Sequence, residues 1–375
     1  MKIGFDAKRF FNNNTGLGNY SRTLLKNILK VQPQNKYILY SPNKDQRSDS
    51  ETLLQSKNIA VKSSGKLFWR ERGIVSDLKN DGVQLYHGLS NEIPVGIHKS
   101  GIKSVVTIHD LIFKIYPKTY NYFDAKIYDF KFKYACKNAN RILAISESTK
   151  NDIIQFYNVP PERIEVVYQA CNPVFYSLQS TEDVFENLKE YKLPPRFMLY
   201  VGSVIERKNL LTIVKAQEQV NTSIRVPLVI VGSNGGAYKK QVERYIKNKN
   251  LEECFVWLEN LNNNNHLQAL YQKAELFIYP SIYEGFGIPV VEALLSKTPV
   301  ITSNVSSLPE AAGPDSICID PQDEGLMKDS IEQVLSNHLL SQRMVDKGYD
   351  YAIKNFGGIS CAQKVIDLYK KLVFH

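Results

Sequence analysis

The sequence predicts an α/β chain built on two doubly wound parallel sheets, and three observations lead there. Twelve short runs rich in β-branched and aromatic residues alternate with helix-length segments along the 375 residues. The runs are nearly continuously apolar and bounded by Gly, Asn or Asp, as strands buried on both faces of a parallel sheet are. The alternation occurs twice, six strands to each half, which implies repeated βα units and a sheet in each half.

In the first half the strand segments are "KIGFDA", "YILYS", "VQLYHG", "SVVTIHD", "RILAIS" and "IEVVYQ". In the second they are "FMLYVGS", "PLVIVGS", "CFVWLEN", "ELFIYPS", "PVITS" and "SICIDP". Helical spacing lies between them, as at Leu24, Leu25, Ile28 and Leu29. The polar, Pro-flanked stretch from Asn172 to Pro195 is expected to be a linker. The domains are therefore expected at residues 1–180 and 181–357, with a last helix over 358–375.

Composition agrees with two globular domains. Apolar residues make up 43% and charged residues 23%, which excludes a disordered chain. The N-terminal "MKIGFDAKRF" reads as a strand and not as a signal peptide, and no run approaches the ~18 apolar residues of a membrane span. A cytoplasmic protein is expected. The five cysteines show no CxxC pairing and are expected to be reduced core residues.

The net charge of +9 is unevenly spread. Residues 1–180 hold 26 Lys and Arg against 15 Asp and Glu, a balance of +11, and the remainder holds 21 against 23. A basic half points to an anionic partner. Nucleic acid is not expected, because zinc-ligand spacing and RNP-type motifs are missing. The basic residues interleave with aromatics in "FKIYPKTYNYFDAKIYDFKFKYACKNANR" from Phe113. That stretch admits two readings: a helix resting on an anionic membrane surface, or a solvated face over a Tyr/Phe core stripe.

In open α/β sheets ligands bind beyond the carboxyl ends of strands, so post-strand loops carry the candidates. "NNNTGLGNY" puts Gly16 and Gly18 before a helix, either as a phosphate-cradling loop or as a plain tight turn. His109 closes a strand and is a candidate for sugar or phosphate contact, with a purely structural role as the alternative. His87 holds a similar position and is a weaker candidate. In "YVGSVIERKNL", Gly202 ends a strand, and Arg207 and Lys208 precede a helix. Arg and Lys there supply a fork and a point charge to a diphosphate; the bland alternative is two surface cations.

The most informative stretch is "SIYEGFGIPVVEALLS". Glu284 follows a strand, Gly285, Phe286 and Gly287 open the helix N-terminus, and Glu292 lies about one turn in. Backbone N–H groups at such a terminus suit phosphate or sugar hydroxyls, and Glu292 suits a ribose diol. The acids would then stand at the two ends of a nucleotide-diphosphate sugar.

These motifs together resemble the retaining glycosyltransferases of family 4, a GT-B group that includes bacterial mannosyl- and glucosyltransferases of surface-polysaccharide assembly. The resemblance rests on Glu284 and Glu292 in the E-x7-E element, "SIYEGFGIP", "ERKN" at Arg207 and Lys208, "TIHDL" at His109, "TGLGNY" at Gly16–Tyr20 and "FWRERGIVSDLKNDGVQLYHGLSNEIP". It implies two Rossmann-like domains facing a cleft, the second binding the nucleotide and the first the acceptor, with the last helix crossing back to the first. It implies no metal and no cofactor, and the sequence has no Asp-x-Asp to hold an ion. One departure is Gly358, where many relatives carry an aromatic.

On this resemblance the expected catalytic residues are His109, Glu284, Arg207 and Lys208. Amides of Gly16 and Phe286 join the two cations at the donor diphosphate, while His109 and Glu284 hold the hexose. The expected reaction moves a hexose, mannose by resemblance, from GDP-mannose to a glycan or lipid-linked glycan, with UDP-hexose as the alternative donor. Retention by front-side attack is expected, and no general base is assigned. A nicotinamide dehydrogenase is excluded, since neither half has GxGxxG followed by a ribose-binding acid. A nucleotide-sugar epimerase and a non-catalytic sugar-binding protein are the remaining alternatives.

Overall fold

The computed structural model describes residues 1–374 apart from 14, 43–50, 65–67, 233–235, 260 and 262, and gives the backbone alone at 51 and 52. It divides into two compact units, Met1–Ala170 with Phe356–His375, and Cys171–Asn355.

The first unit carries strands β1 (Lys2–Asp6), β2 (Lys36–Ser41), β3 (Ile59–Ser63), β4 (Leu85–Gly88), β5 (Lys103–Ile108), β6 (Arg141–Ala144) and β7 (Ile164–Val166). They form one parallel sheet in the order β3-β2-β1-β4-β5-β6-β7. The second unit carries β8 (Met198–Val201), β9 (Leu228–Val231), β10 (Phe255–Leu258), β11 (Leu276–Tyr279), β12 (Val300–Ser303) and β13 (Ile317–Ile319). These too are all parallel, in the order β10-β9-β8-β11-β12-β13. Strand order reverses between β1 and β4 in one sheet and between β8 and β11 in the other.

All twelve expected strands are present. The thirteenth, β3, escapes sequence reading because it lies at the sheet edge and is half exposed, so its residues carry little of the continuous apolar signal of the central strands. The expected linker is also corrected. Residues 173–176 form a 3₁₀ turn and Thr181–Leu188 a helix, both within the second unit. Gln268 Nε2 donates to Val174 O at 2.9 Å and to Ser177 O at 2.7 Å, and Phe175 packs edge-on against Tyr271. These contacts with the helix Asn264–Lys273 move the boundary to 170/171, because side-chain pairing across ninety residues outweighs the local polarity of the stretch.

Burial in the first sheet follows the pleat. Val105 and Leu143 join the core face with the helices Gly16–Val31 and Gly358–Phe374, while Val106 and Ile142 face the helix Tyr122–Asn138. The last helix buries Cys361, Ala362, Val365, Ile366, Leu368 and Tyr369 as one stripe. Gly358 stands so close to Asn27 that a Cβ would lie 2.5 Å from its Nδ2. Glycine here lets the last helix approach Gly16–Val31. The helix Tyr122–Asn138 buries Phe132, Ala135 and Cys136 and exposes Tyr122, Phe123, Ile127 and Phe130. The aromatic residues of this stretch are therefore divided between the core and the surface. All five cysteines are free thiols, three of them buried.

His87 is a core residue. Its Nδ1 lies 2.5 Å from Tyr369 Oη and its Nε2 2.8 Å from Thr107 Oγ1, which in turn pairs with Tyr20 Oη at 2.9 Å. This buried chain ties the last helix to β4, β5 and the Gly16 helix. Burial, aided by nearby His109, pushes the imidazole down to about 3. An unfolded histidine titrates near 6.5, so the folded value is the lower one. The stabilisation is then complete above the unfolded value and is lost as pH falls toward the folded one. Between pH 7 and pH 5 the wild type should lose about 2 kcal/mol relative to His87→Gln, through linkage at this one site. Urea unfolding of both proteins at the two pH values checks this, and a constant difference contradicts it.

Candidate active site

The candidates of the second unit converge at the reversal point of its sheet. Arg207 and Lys208 sit in the 3₁₀ turn Glu206–Lys208 after β8, and Glu284 follows β11. Arg207 Nη1 lies 2.8 Å and Lys208 Nζ 2.6 Å from the same oxygen, Glu284 Oε1. Glu284 is 9% exposed. Burial alone would push its carboxyl up, but the charges of Lys208 and Arg207 outweigh that and hold it below the ordinary range. A buried carboxylate with two cations is a cluster of net charge +1, and its members fix each other's positions.

Tyrosines and serines missed by sequence reading complete the cluster. Lys208 Nζ donates to Tyr279 Oη and stands 4.7 Å from the centre of that ring. Tyr279 Oη donates to Glu284 Oε1 at 3.3 Å, and Arg207 also donates to Tyr283 O. The Glu284 amide donates to Ser306 Oγ at 3.1 Å, and Ser307 Oγ lies 2.9 Å from Glu284 O and 2.7 Å from Phe286 O. A signal for Ser306 and Ser307 was available, since they lie in the loop after β12 as Glu284 lies in the loop after β11.

The helix Ile288–Leu295 starts after Gly287, with Pro289 in its first turn. Gly287 has φ +126°, and a Cβ there would meet Leu308 and Ala311 at 3.0 and 3.1 Å, so glycine is required by the backbone and by space. Phe286 is buried. Glu292, one turn in and partly buried, accepts from Tyr271 Oη at 3.2 Å. Burial pushes its carboxyl up to about 8, against the smaller opposing effect of the Tyr271 hydrogen bond. The two acids thus differ in charge state: Glu284 is ionised among cations, and Glu292 is mostly protonated at neutral pH. Gly202 follows β8, and its amide donates to Val231 O at 2.9 Å, continuing the pairing of β8 with β9.

In the first unit, Gly16 and Gly18 begin the helix Gly16–Val31. A Cβ on Gly18 would fall 1.8 Å from Asn13 O, and the Gly18 amide donates to Asn13 Oδ1 at 3.1 Å. Gly18 is therefore a turn residue, whereas a Cβ on Gly16 would meet nothing within 4 Å. His109 is buried at the end of β5. Its Nε2 lies 2.9 Å from Leu89 O, its Nδ1 3.1 Å from Gln169 Nε2, and Tyr20 packs edge-on at 4.7 Å. Burial lowers it to about 4, so the ring is neutral, donating to Leu89 and accepting from the Gln169 amide. Both ring nitrogens are therefore engaged within the protein. Among the described residues no group of three or more His, Cys, Asp or Glu side chains is arranged to hold a metal.

Comparison with known proteins matches two family models. Residues 16–174 match "Glycosyltransferase Family 4" and residues 180–351 match "Glycosyl transferases group 1". The O-antigen chain mannosyltransferase B of Escherichia coli is 27% identical, over 99% of this chain and 100% of that protein. The N-acetylgalactosamine-N,N'-diacetylbacillosaminyl-diphospho-undecaprenol 4-alpha-N-acetylgalactosaminyltransferase of Campylobacter jejuni is 26% identical, over 66% of this chain and 64% of its own length. Among solved structures, the Anabaena HepE protein in complex with UDP and glucose has a TM-score of 0.74 at 16% identity, covering 99% of this chain and 100% of that one.

Replacing Glu284 with Gln keeps the shape and removes the counter-charge of two partly buried cations. Such a change should cost about 3 kcal/mol. If the cluster is built for a diphosphate, pyrophosphate should restore much of that loss and raise the melting temperature of Glu284→Gln more than that of the wild type. Thermal melts with and without pyrophosphate decide it, and equal shifts in both proteins contradict it.

Proposed function

The chain belongs to the glycosyltransferases, its first half to family 4 and its second half to group 1, and we propose that it transfers mannose, with retention, from GDP-mannose to a lipid-linked glycan in bacterial surface-polysaccharide assembly. The observation that carries the donor assignment is the Arg207–Lys208–Glu284 cluster beside the helix that bears Glu292. The choice of mannose is supported by the full-length similarity to a mannosyltransferase, and a lipid-linked acceptor by the name of the C. jejuni relative.

In this reading the ribose diol donates to Glu292, and the diphosphate lies against Arg207 and Lys208 without a divalent ion. Negative charge grows on the leaving phosphate as the glycosidic bond breaks. Two cations already held in place by Glu284 stabilise it without reorganising, which is where most of such a rate enhancement arises. The acceptor oxygen bonds to the anomeric carbon on the face the phosphate leaves, and a phosphate oxygen takes the acceptor proton. No side chain of this protein is needed as a base. Membrane attachment, if the acceptor is lipid-borne, falls to the basic first unit. Among the described residues no helix is long and apolar enough to cross a membrane.

Incubation with radiolabelled GDP-mannose, UDP-glucose and dTDP- and ADP-sugars should show transfer from GDP-mannose alone, undiminished by excess EDTA. Transfer from another donor replaces the sugar assignment, and loss in EDTA restored by Mg²⁺ or Mn²⁺ refutes binding without a metal. GDP at a hundred times its Kd should add about 2.7 kcal/mol to the stability of the chain.

Glu292 supplies a pH test. A diol favours the ionised carboxylate, so binding must expel the proton held up to about 8. Binding is therefore favoured as pH rises through that value. The affinity for GDP should increase about tenfold between pH 7 and pH 9, as the competent ionised fraction grows. Glu292→Gln should bind more weakly at pH 9 and show no such increase. Titration calorimetry of both proteins measures this, and parallel pH profiles contradict the assignment.

A further inference from the structure

The backbone from Tyr283 to Gly287 is held from two sides. On one side are two serines of the loop after β12. Ser307 Oγ lies 2.9 Å from Glu284 O and 2.7 Å from Phe286 O, and the Glu284 amide donates to Ser306 Oγ at 3.1 Å. On the other side Arg207 Nη1 donates to Tyr283 O.

Peptide geometry turns these contacts into directions. No described peptide is cis, so each N–H points opposite to the C=O of the same planar group. The peptide joining Tyr283 and Glu284 sends its carbonyl to Arg207 and its amide to Ser306. One face of the loop therefore meets the serines, and the opposite face meets Arg207. The carbonyls of Glu284 and Phe286 both turn to Ser307. The N–H groups of Gly285 and Gly287 then point away from Ser307, toward the face of Arg207. Gly287 is buried, and its amide donates to no group among the described residues. Buried amides are almost always paired, so this one points to an acceptor that the chain does not supply. A phosphate oxygen held by Arg207 is such an acceptor.

This orientation needs a restraint. Glycine follows each of the two peptides and has no Cβ to oppose their rotation. A peptide that turned over would present its carbonyl dipole to the phosphate in place of its amide. Ser307 is fully buried and bonds to both carbonyls with one hydroxyl. Ser306 has φ +55°, a left-handed backbone that costs energy in any residue but glycine. What serine adds there over glycine is the oxygen that receives the Glu284 amide.

We propose that Ser307 and Ser306 are positioning residues of the donor site: Ser307 keeps the peptides after Glu284 and Phe286 from turning over, Ser306 anchors the Glu284 amide, and together they present the Gly287 amide to the donor diphosphate beside Arg207. The proposal rests on the diphosphate reading of the Arg207–Lys208–Glu284 cluster and adds the residues that shape its backbone.

Inorganic pyrophosphate is the probe, since it carries a diphosphate without base or sugar. The chain has two Phe-Gly pairs, Phe286–Gly287 and Phe356–Gly357. In the full-length protein, ¹³C-carbonyl Phe with ¹⁵N-Gly therefore gives two amide signals, and Phe356→Leu, which removes one, assigns them. Pyrophosphate should move the Gly287 signal saturably and leave Gly357, which lies in the first unit, in place. In Ser307→Ala the Gly287 signal should be displaced before any ligand is added. Pyrophosphate affinity should then fall about tenfold, as the loss of one hydrogen bond to a charged group does. Ser307→Thr keeps the hydroxyl and should bind closer to the wild type. Glycine suits the backbone at 306, so Ser306→Gly should fold as the wild type does and still bind pyrophosphate severalfold more weakly. If Ser307→Ala does not fold, Ser306→Gly decides. A residue that only supports the fold would lower the melting temperature and leave affinity unchanged. Pyrophosphate that binds without moving Gly287, or that binds the folded serine variants as tightly as the wild type, overturns the proposal and leaves the diphosphate reading standing. A wild type that ignores pyrophosphate overturns both.

Discussion

Parallel strands cannot be joined by hairpins, so consecutive strands of each sheet are joined by crossovers and all strands of a sheet end on the same edge. That constraint decides where chemistry can be placed. Residues that follow β8, β11 and β12 are far apart in sequence and close in space, which is how Arg207, Glu284 and Ser306 share one small region. In the first unit the same rule gathers Asp6, Tyr86 and Glu92 into one cavity. Both assemblies sit where strand order reverses, since there the flanking crossovers diverge to opposite faces and leave a gap.

The two gaps carry different electrostatics. In the second unit one carboxylate serves two cations, so the cluster retains a net positive charge and attracts an anion. In the first unit the carboxylates of Asp6, Glu71 and Glu92 pair with Arg70 and Lys131, so the cations there are matched by acids. The excess positive charge lies in residues 1–180, while residues 181–375 hold 21 Lys and Arg against 23 Asp and Glu.

His87 and His109 show why a strand-end histidine is ambiguous in sequence. Both follow or end a strand, and both become neutral on burial. His87 spends both nitrogens on Thr107 and Tyr369 and joins the last helix to the sheet. His109 spends one on the Leu89 carbonyl and one on the side-chain amide of Gln169.

The sequence by itself determined twelve of the strands, the two-sheet class and the loops that bear Glu284, Glu292, Arg207 and Lys208, because apolar runs and turn chemistry are written in local composition. It could not determine β3, whose edge position weakens that signal, or the 170/171 boundary, which depends on Gln268 reaching Val174 and Ser177. Tertiary structure alone decided that Glu284 binds Arg207 and Lys208 instead of standing apart from them, that Glu292 holds its proton, and that Gly202 and Gly18 spend their amides within the protein. Charge state and hydrogen-bond occupancy depend on what surrounds a group in three dimensions, and those neighbours come from segments that local spacing does not relate.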